Sequence, residues 1–246
     1  MKKDRTNLIL VLIFIIGLSV MLYPTVSDYW NSRTQSRAVA TYNETVESMS
    51  EEDYEEMFQE AEAYNEALSQ VDMPFVNYDQ VEGYEDILDI SGTGIMGYVT
   101  IEKIRVELPI YHGTEDSVLQ IAAGHLQGSS LPIGGIGTHS VISAHRGLPS
   151  ARLFTELDEL EVGDTFTITV LDRQMTYQVD QIRIVEPQEI EELQIDPEED
   201  YCTLMTCTPY GINSHRLLVR GVRIEGEAPA AYVPAEADQV NATIVA

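Results

Sequence analysis

Thr165-Phe166-Thr167-Ile168-Thr169-Val170, closed by Leu171, alternates hydroxyl and apolar side chains. A period of two is the mark of a strand with one face in a core. Working outward, Met175-Thr176-Tyr177-Gln178-Val179 repeats the alternation a few residues later. Shorter strand-like runs stand at Gly97-Tyr98-Val99-Thr100-Ile101, at Val106-Glu107-Leu108-Pro109-Ile110-Tyr111, at residues 138–144, at Ile182-Arg183-Ile184-Val185, and at residues 201–206 and 216–224. About eight short strands separated by turn residues predict a mostly β chain, folded as a closed barrel or a sandwich. Short helices are expected at residues 115–120 and 150–154. The sequence shows no internal repeat.

The 246 residues carry 41 Asp and Glu against 14 Lys and Arg, a formal charge of −27. Such a chain has little with which to neutralise phosphates, which excludes a nucleic-acid binder. A hydrophobic share of 44% with 13 Tyr excludes wholesale disorder. Two cysteines are too few for a disulfide framework or a structural zinc site. The charge is uneven. Residues 38–102 hold 17 acids and no Lys or Arg, whereas residues 103–224 hold 18 acids and nine basic residues.

Residues 8–23 read LILVLIFIIGLSVMLY, and Pro24, Thr25 and Val26 extend the run toward the ~20 residues that span a bilayer. Lys2, Lys3 and Arg5 precede it, so the positive-inside rule puts residues 1–7 in the cytoplasm and the rest outside. Tyr23, Tyr29 and Trp30 suit an interfacial belt. Ala38-Val39-Ala40 has the small-x-small form of a cleavage site but lies too far beyond the run. An uncleaved transmembrane anchor over 8–26 is therefore expected.

Residues 27–91 read as an acidic helical segment. Ser50 followed by Glu51-Glu52-Asp53 is an N-cap with acids in the first turn. Tyr54, Met57, Phe58, Ala61, Tyr64 and Leu68 then form one apolar stripe, the face of a helix packed on the main domain. Pro74 is expected to end that helix, and residues 73–78 to be loop. Residues 225–246 form an Ala-, Pro- and acid-rich tail with no run long enough to span a membrane.

Three residues could carry chemistry. Cys207 ends a strand just before Thr208-Pro209-Tyr210-Gly211, where a thiol can reach a groove. Cys202, five residues earlier, lies on the opposite strand face, so a disulfide between them is not expected and a core thiol is. Arg216 opens the next strand. A guanidinium beside the thiol could lower its pKa or hold the oxyanion of an attacked carbonyl; the plainer reading is a surface salt bridge. His145 follows a strand and opens into Arg146-Gly147-Leu148-Pro149, and cysteine acyl transfer needs such a proton carrier. His112, His125, His139 and His215 share that candidacy by position. No spacing among them suggests a metal site, and no cofactor is implied.

Residues 203–221, TLMTCTPYGINSHRLLVRG, resemble the active-site segment of sortases, and their long form resembles the class C, pilus-assembling group. Residues 143–151, SAHRGLPSA, are similar to that group's catalytic-histidine segment. Gly97-Tyr98-Val99, Leu108-Pro109-Ile110-Tyr111-His112-Gly113-Thr114 and residues 124–132 fit as well, so the likeness spans about 92–224. It implies an eight-stranded sortase-type barrel and a cysteine transpeptidase of the Gram-positive cell surface. Cys207 would attack the Thr–Gly bond of an LPxTG-like sorting signal and form a thioacyl-enzyme. His145 would manage the proton of leaving and incoming amines, and Arg216 would hold substrate and oxyanion. Class C acceptors are lysines of pilin subunits; the alternative is a sortase that attaches proteins to peptidoglycan. A membrane-anchored binding module without catalysis is the reading from another class.

Thr206, Thr208 and Leu204 are further candidates for substrate contact. Strand alternation points Leu204 and Thr206 away from Cys207, which favours packing roles. Class C sortases usually carry a lid with an Asp-Pro-aromatic motif. Here Asp72-Met73-Pro74-Phe75 has Met73 inserted. The resemblance implies Asp72 near Arg216 and Phe75 near Cys207.

Overall fold

The computed structural model describes residues 2–90 and 92–224; the expected tail at 225–246 lies outside the described residues. Helix α1 (Lys2–Glu47) is unbroken through Pro24. It is long and apolar enough to cross a membrane, and its apolar stretch is buried by nothing else in the molecule. The same helix then becomes part of the core, where Val39, Tyr42 and Val46 are buried. The Tyr42 hydroxyl donates to the Met96 carbonyl at 3.1 Å and accepts from the Leu171 amide at 2.8 Å. Burial pushes that phenol well above its ordinary range.

Helix α2 (Glu51–Ser69) starts as the sequence requires. The Ser50 hydroxyl accepts from the Asp53 amide while the Asp53 carboxylate accepts from the Ser50 amide, a reciprocal capping box. Phe58, Ala61, Tyr64 and Leu68 are buried against the barrel. Asn65, buried on the same face, pairs with both backbone groups of Leu131, donating at 3.2 Å and accepting at 2.7 Å. Pro74 does not end α2, which stops at Ser69; it opens a short helix α3 (Pro74–Asn77), where a missing amide costs nothing. A 3-10 turn over Tyr78–Gln80 follows, so the expected loop is mostly helical.

The barrel contains β1 (Ile95–Ile101), β2 (Val106–His112), β3 (Ala123–His125), β4 (Thr138–Ser143), β5 (Thr165–Val170), β6 (Arg173–Val185), β7 (Asp200–Thr208) and β8 (His215–Arg223). Their order around the closed sheet is β1-β2-β3-β4-β7-β8-β6-β5. The β1–β5 pair closes it, with Val99 opposite Ile168. The pairs β2–β3 and β4–β7 are parallel, and helix α4 (Asp116–Leu119) lies in the crossover between the first two. Phe166, Ile168 and Val170 enter the core as their alternation requires. Phe166 stacks on Tyr177 at 5.6 Å between centroids, and Gly221 makes room: a Cβ there would come within 2.8 Å of both rings' side chains.

Three further expectations need correction. The runs at 175–179 and 182–185 are a single strand, β6, bent by a register shift between Val179 and Gln181. The eighth strand is instead β3, whose three residues are too short to show a period. Residues 150–154 are not a helix. Ala151 bridges to Leu148, the Arg152 amide is taken by Asp28 of α1 at 2.8 Å, and Leu153 adopts φ 43°. Burial of Leu153 and Phe154 fixes the segment where local propensity would not.

Candidate active site

Alternation along β7 splits its residues between two faces. Cys202, Leu204 and Thr206 are fully buried; Met205 and Cys207 are half-buried on the other face. Cys207 stands directly opposite Arg216 in the antiparallel β7–β8 register. Facing side chains of such a pair have Cβ atoms about 4.5–5.5 Å apart. The Arg216 guanidinium donates to the carbonyls of His215, at 3.2 Å, and Asn213, at 3.4 Å. Among the described residues no carboxylate forms an ion pair with it, so the surface salt bridge is not what this arginine makes.

The parallel β4–β7 pair sets Ser143 beside Met205. Two residues further on, His145 and Cys207 therefore stand at the same rim of the sheet. The backbone around His145 is fixed on three sides. The Ala144 amide donates to Met205 at 3.2 Å, the buried Thr206 hydroxyl donates to the Ala144 carbonyl at 2.8 Å, and the Phe154 amide donates to the His145 carbonyl at 3.1 Å. Thr206 thus ties the cysteine strand to the histidine strand from inside. Leu204 also faces the core, so neither residue reaches a substrate groove; a two-residue period allows nothing else. Thr208 is buried too, and its hydroxyl lies 3.4 Å from the Arg146 guanidinium.

The other histidines are internal fittings, His215 excepted. The His125 ring faces the Ser130 carbonyl through Nε2 at 2.8 Å and accepts the Tyr84 hydroxyl at Nδ1, 2.9 Å. His139 faces the Gln194 carbonyl through Nδ1 at 2.9 Å and the Thr203 hydroxyl through Nε2 at 2.7 Å. Burial pulls both imidazoles down to about 4. His112 meets the carbonyls of Gly94 and Ile87. His215 sits at the rim and meets the Ser214 hydroxyl at 2.8 Å. Burial also pushes the Cys202 thiol well up, and both cysteines are free. Among the described residues no group of three or more His, Cys, Asp or Glu could hold a metal ion.

A groove of about 650 Å³ runs from Arg216 across Met205 and Leu218 to Phe75. Phe75 packs against the cluster of Val141, Leu193 and Leu218. It lies so close over Gly128 that a Cβ there would come within 2.9 Å of its Cα. Pro74 is half-buried beside it, and Met73 absorbs the inserted position with φ 53°. Asp72 is exposed, and no ion pair joins it to Arg216 among the described residues. The motif's aromatic residue therefore occupies the groove while its acid stands outside.

Two residues of the site escaped the sequence reading. The Asp116 carboxylate on α4 lies 3.9 Å from His145 Nε2. Nothing local signals it, because the barrel alone brings α4 to that rim. Arg146 donates to Asp158 at 2.5 Å and lies 6.0 Å over the Tyr210 ring, joining the loops that follow His145 and Cys207.

Comparison with known proteins identifies the family and matches the fold. The sortase domain family matches residues 99–224, and the chain belongs to that family. Sortase D of Bacillus subtilis (strain 168) is 29% identical over 131 residues, covering 52% of this chain and 63% of that protein. Among solved structures, sortase C1 of Streptococcus agalactiae is 48% identical, with a TM-score of 0.71 over 78% of this chain and all of its own. Sortase C of Streptococcus pneumoniae, a structure described for its bearing on catalysis and pilin substrate specificity, is 47% identical, with a TM-score of 0.71 over 79% of this chain and all of its own.

Proposed function

We propose that this chain is a cysteine transpeptidase that joins pilin subunits. The observation that carries the reading is the register pair of Cys207 with Arg216, with His145 at the same rim. The Cys207 thiol gives its proton to His145 as its sulfur attacks the Thr carbonyl of an LPxTG-like signal. Arg216 donates to the oxyanion, the Thr–Gly bond breaks, and the Gly amine leaves with a proton from His145. The thioester then meets a lysine amine of a second pilin, whose proton passes to His145 as the isopeptide forms and the sulfur leaves. The class C relatives and the pilin specificity described for one of them support the choice of acceptor.

Phe75 in the groove acts as a lid that substrate must displace. The long apolar stretch of α1 anchors the chain, with residues 1–7 inside the cell and the barrel outside. The test incubates the enzyme with an LPxTG peptide and a pilin carrying the acceptor lysine. Mass spectrometry is expected to show a Cys207-linked acyl group and then a lysine isopeptide. Transfer only to cell-wall amines would sink the pilin reading and support peptidoglycan attachment.

A further inference from the structure

Helix α1 holds the barrel by its catalytic rim. Asp28 accepts from the Arg152 amide, Asn31 donates to the Ser150 carbonyl at 2.8 Å, and Gln35 donates to the Ile121 carbonyl at 2.7 Å. These bonds begin two residues past the apolar run at 8–26. At 1.5 Å per residue, Asp28 stands about 3 Å beyond the end of that run. A cleft bounded by Pro24, Thr25 and Asp28 on the helix and by Leu148, Pro149 and Tyr210 on the barrel repeats the measurement. Pro24 and Thr25 belong to the apolar run itself. The loops after His145 and Cys207 are thus level with its last turn.

What those loops expose suits that height. Tyr210 is 60% exposed and Ile212 71% exposed in the turn between β7 and β8, and Trp30 and Tyr29 are exposed on the helix. Isolated apolar residues on a surface are ordinary; apolar and aromatic residues gathered at one level of a membrane-bound protein form an interfacial anchor. The charge agrees. After Asp28, the next acid on α1 is Glu44, about 27 Å beyond the run, and Arg33 and Arg37 lie between.

We propose that the turn between β7 and β8 seats on the outer surface of the bilayer, with Tyr210 and Ile212 at headgroup level. The inference rests on α1 crossing the membrane. Tyr210 is three residues from Cys207, a reach of at most about 10 Å. A substrate held in the same bilayer then presents its scissile bond to Cys207 without leaving the surface.

The test uses the full chain with Cys207→Ala, reconstituted in phosphatidylcholine–phosphatidylglycerol vesicles. An environment-sensitive fluorophore is placed by Ile212→Cys, by Ile136→Cys at another exposed loop, or by Phe14→Cys within the apolar run; buried Cys202 stays unlabelled. Spin-labelled lipids of graded depth act as quenchers. The label at 212 is expected to shift to the blue and be quenched best by headgroup-level probes. The label at 14 is quenched best by deep probes, and the label at 136 stays water-like. If 212 behaves like 136 while 14 is quenched deeply, surface contact is overturned and the anchor stands. If 14 is not quenched, the anchor fails and takes the proposal with it. In the active chain, Ile212→Ser should slow a vesicle-tethered LPxTG peptide several-fold and leave a soluble one unchanged. Equal loss on both would mean direct substrate contact and would overturn the proposal.

Discussion

β7 begins in a sealed seam and ends at an open rim. In the seam, Asp200 accepts from Tyr177 at 3.0 Å and from the Gly135 amide at 2.7 Å, Cys202 is fully buried, and the Thr203 hydroxyl meets His139. Burial pushes the Asp200 carboxyl and the Cys202 thiol up and pulls the His139 imidazole down, so each of these three groups is driven toward its neutral form. At the rim, Cys207, His145 and Arg216 are half-buried, and the Arg216 guanidinium is held by backbone carbonyls. Two of these residue types, Cys and His, are sealed in at one end of the molecule and half-open to solvent at the other.

The cysteines give the largest contrast. Cys207→Ala is expected to abolish transpeptidation, a loss of at least ~10⁴-fold in kcat. Cys202→Ala should keep its turnover and lose about 1–2 kcal/mol of stability, read from urea midpoints. Maleimide should label only Cys207 until the chain unfolds. A reactive Cys202 in the folded protein would break the comparison outright.

Two of the three arginines of β8 come next. If Arg216 holds the oxyanion as proposed, Arg216→Ala should lower kcat/KM by ~10²–10³-fold, with Arg216→Lys recovering part. Arg220 lies two turns of the pleat further along β8, paired with Asp180 at 2.5 Å and stacked 4.1 Å over Tyr201. Arg220→Ala should leave turnover intact and destabilise by about 1–2 kcal/mol. Similar kinetic losses in both variants would erase the distinction between seam and rim.

Protons sharpen it further. His125 and His139 titrate near 4 when folded and near ~6.5 when unfolded. As pH falls through that window the unfolded chain takes up the protons first, so stability is full above ~6.5 and drains toward 4. The loss is on the order of a few kcal/mol for each ring. Denaturant midpoints at pH 7, 5.5 and 4 should therefore fall more steeply in the parent chain than in His139→Gln. Parallel slopes would show that His139 is not the sealed group its geometry makes it.

The sequence exposed the rim better than the seam. Cys207, His145 and Arg216 each stand at a strand end beside turn residues, and that local pattern is readable. Asp116 is not, because it reaches His145 only through the crossover from β2 to β3. β3 has too few residues for a period, and β6 reads as two strands because its bulge interrupts the alternation at Asp180. Residues 150–154 have helical local character, yet the Arg152 amide is claimed by Asp28, 124 positions away. The extension of α1 to Glu47 was hidden for a related reason: its packing residues Val39, Tyr42 and Val46 follow the apolar run without a break in helical pattern.

The smallest expected effect concerns what covers the rim. Phe75 is packed in the groove that Arg216 lines, whereas Asp72 is exposed and makes no ion pair with that arginine among the described residues. If the aromatic ring is the cover, Phe75→Ala should raise the maleimide labelling rate of Cys207 about two- to tenfold, while Asp72→Ala should change it less. The ring's hold is mainly apolar burial against the cluster of Val141, Leu193 and Leu218, worth about 1.5–3 kcal/mol for a fully buried Phe and less for this half-buried one. A cover held that weakly opens often enough for substrate, which is why the effect should be modest. An unchanged rate in Phe75→Ala, and in Phe75→Ala combined with Asp72→Ala, would show that Cys207 is already open to solvent with the segment in place. The groove beside Arg216 and the thiol would then be separate compartments of one rim.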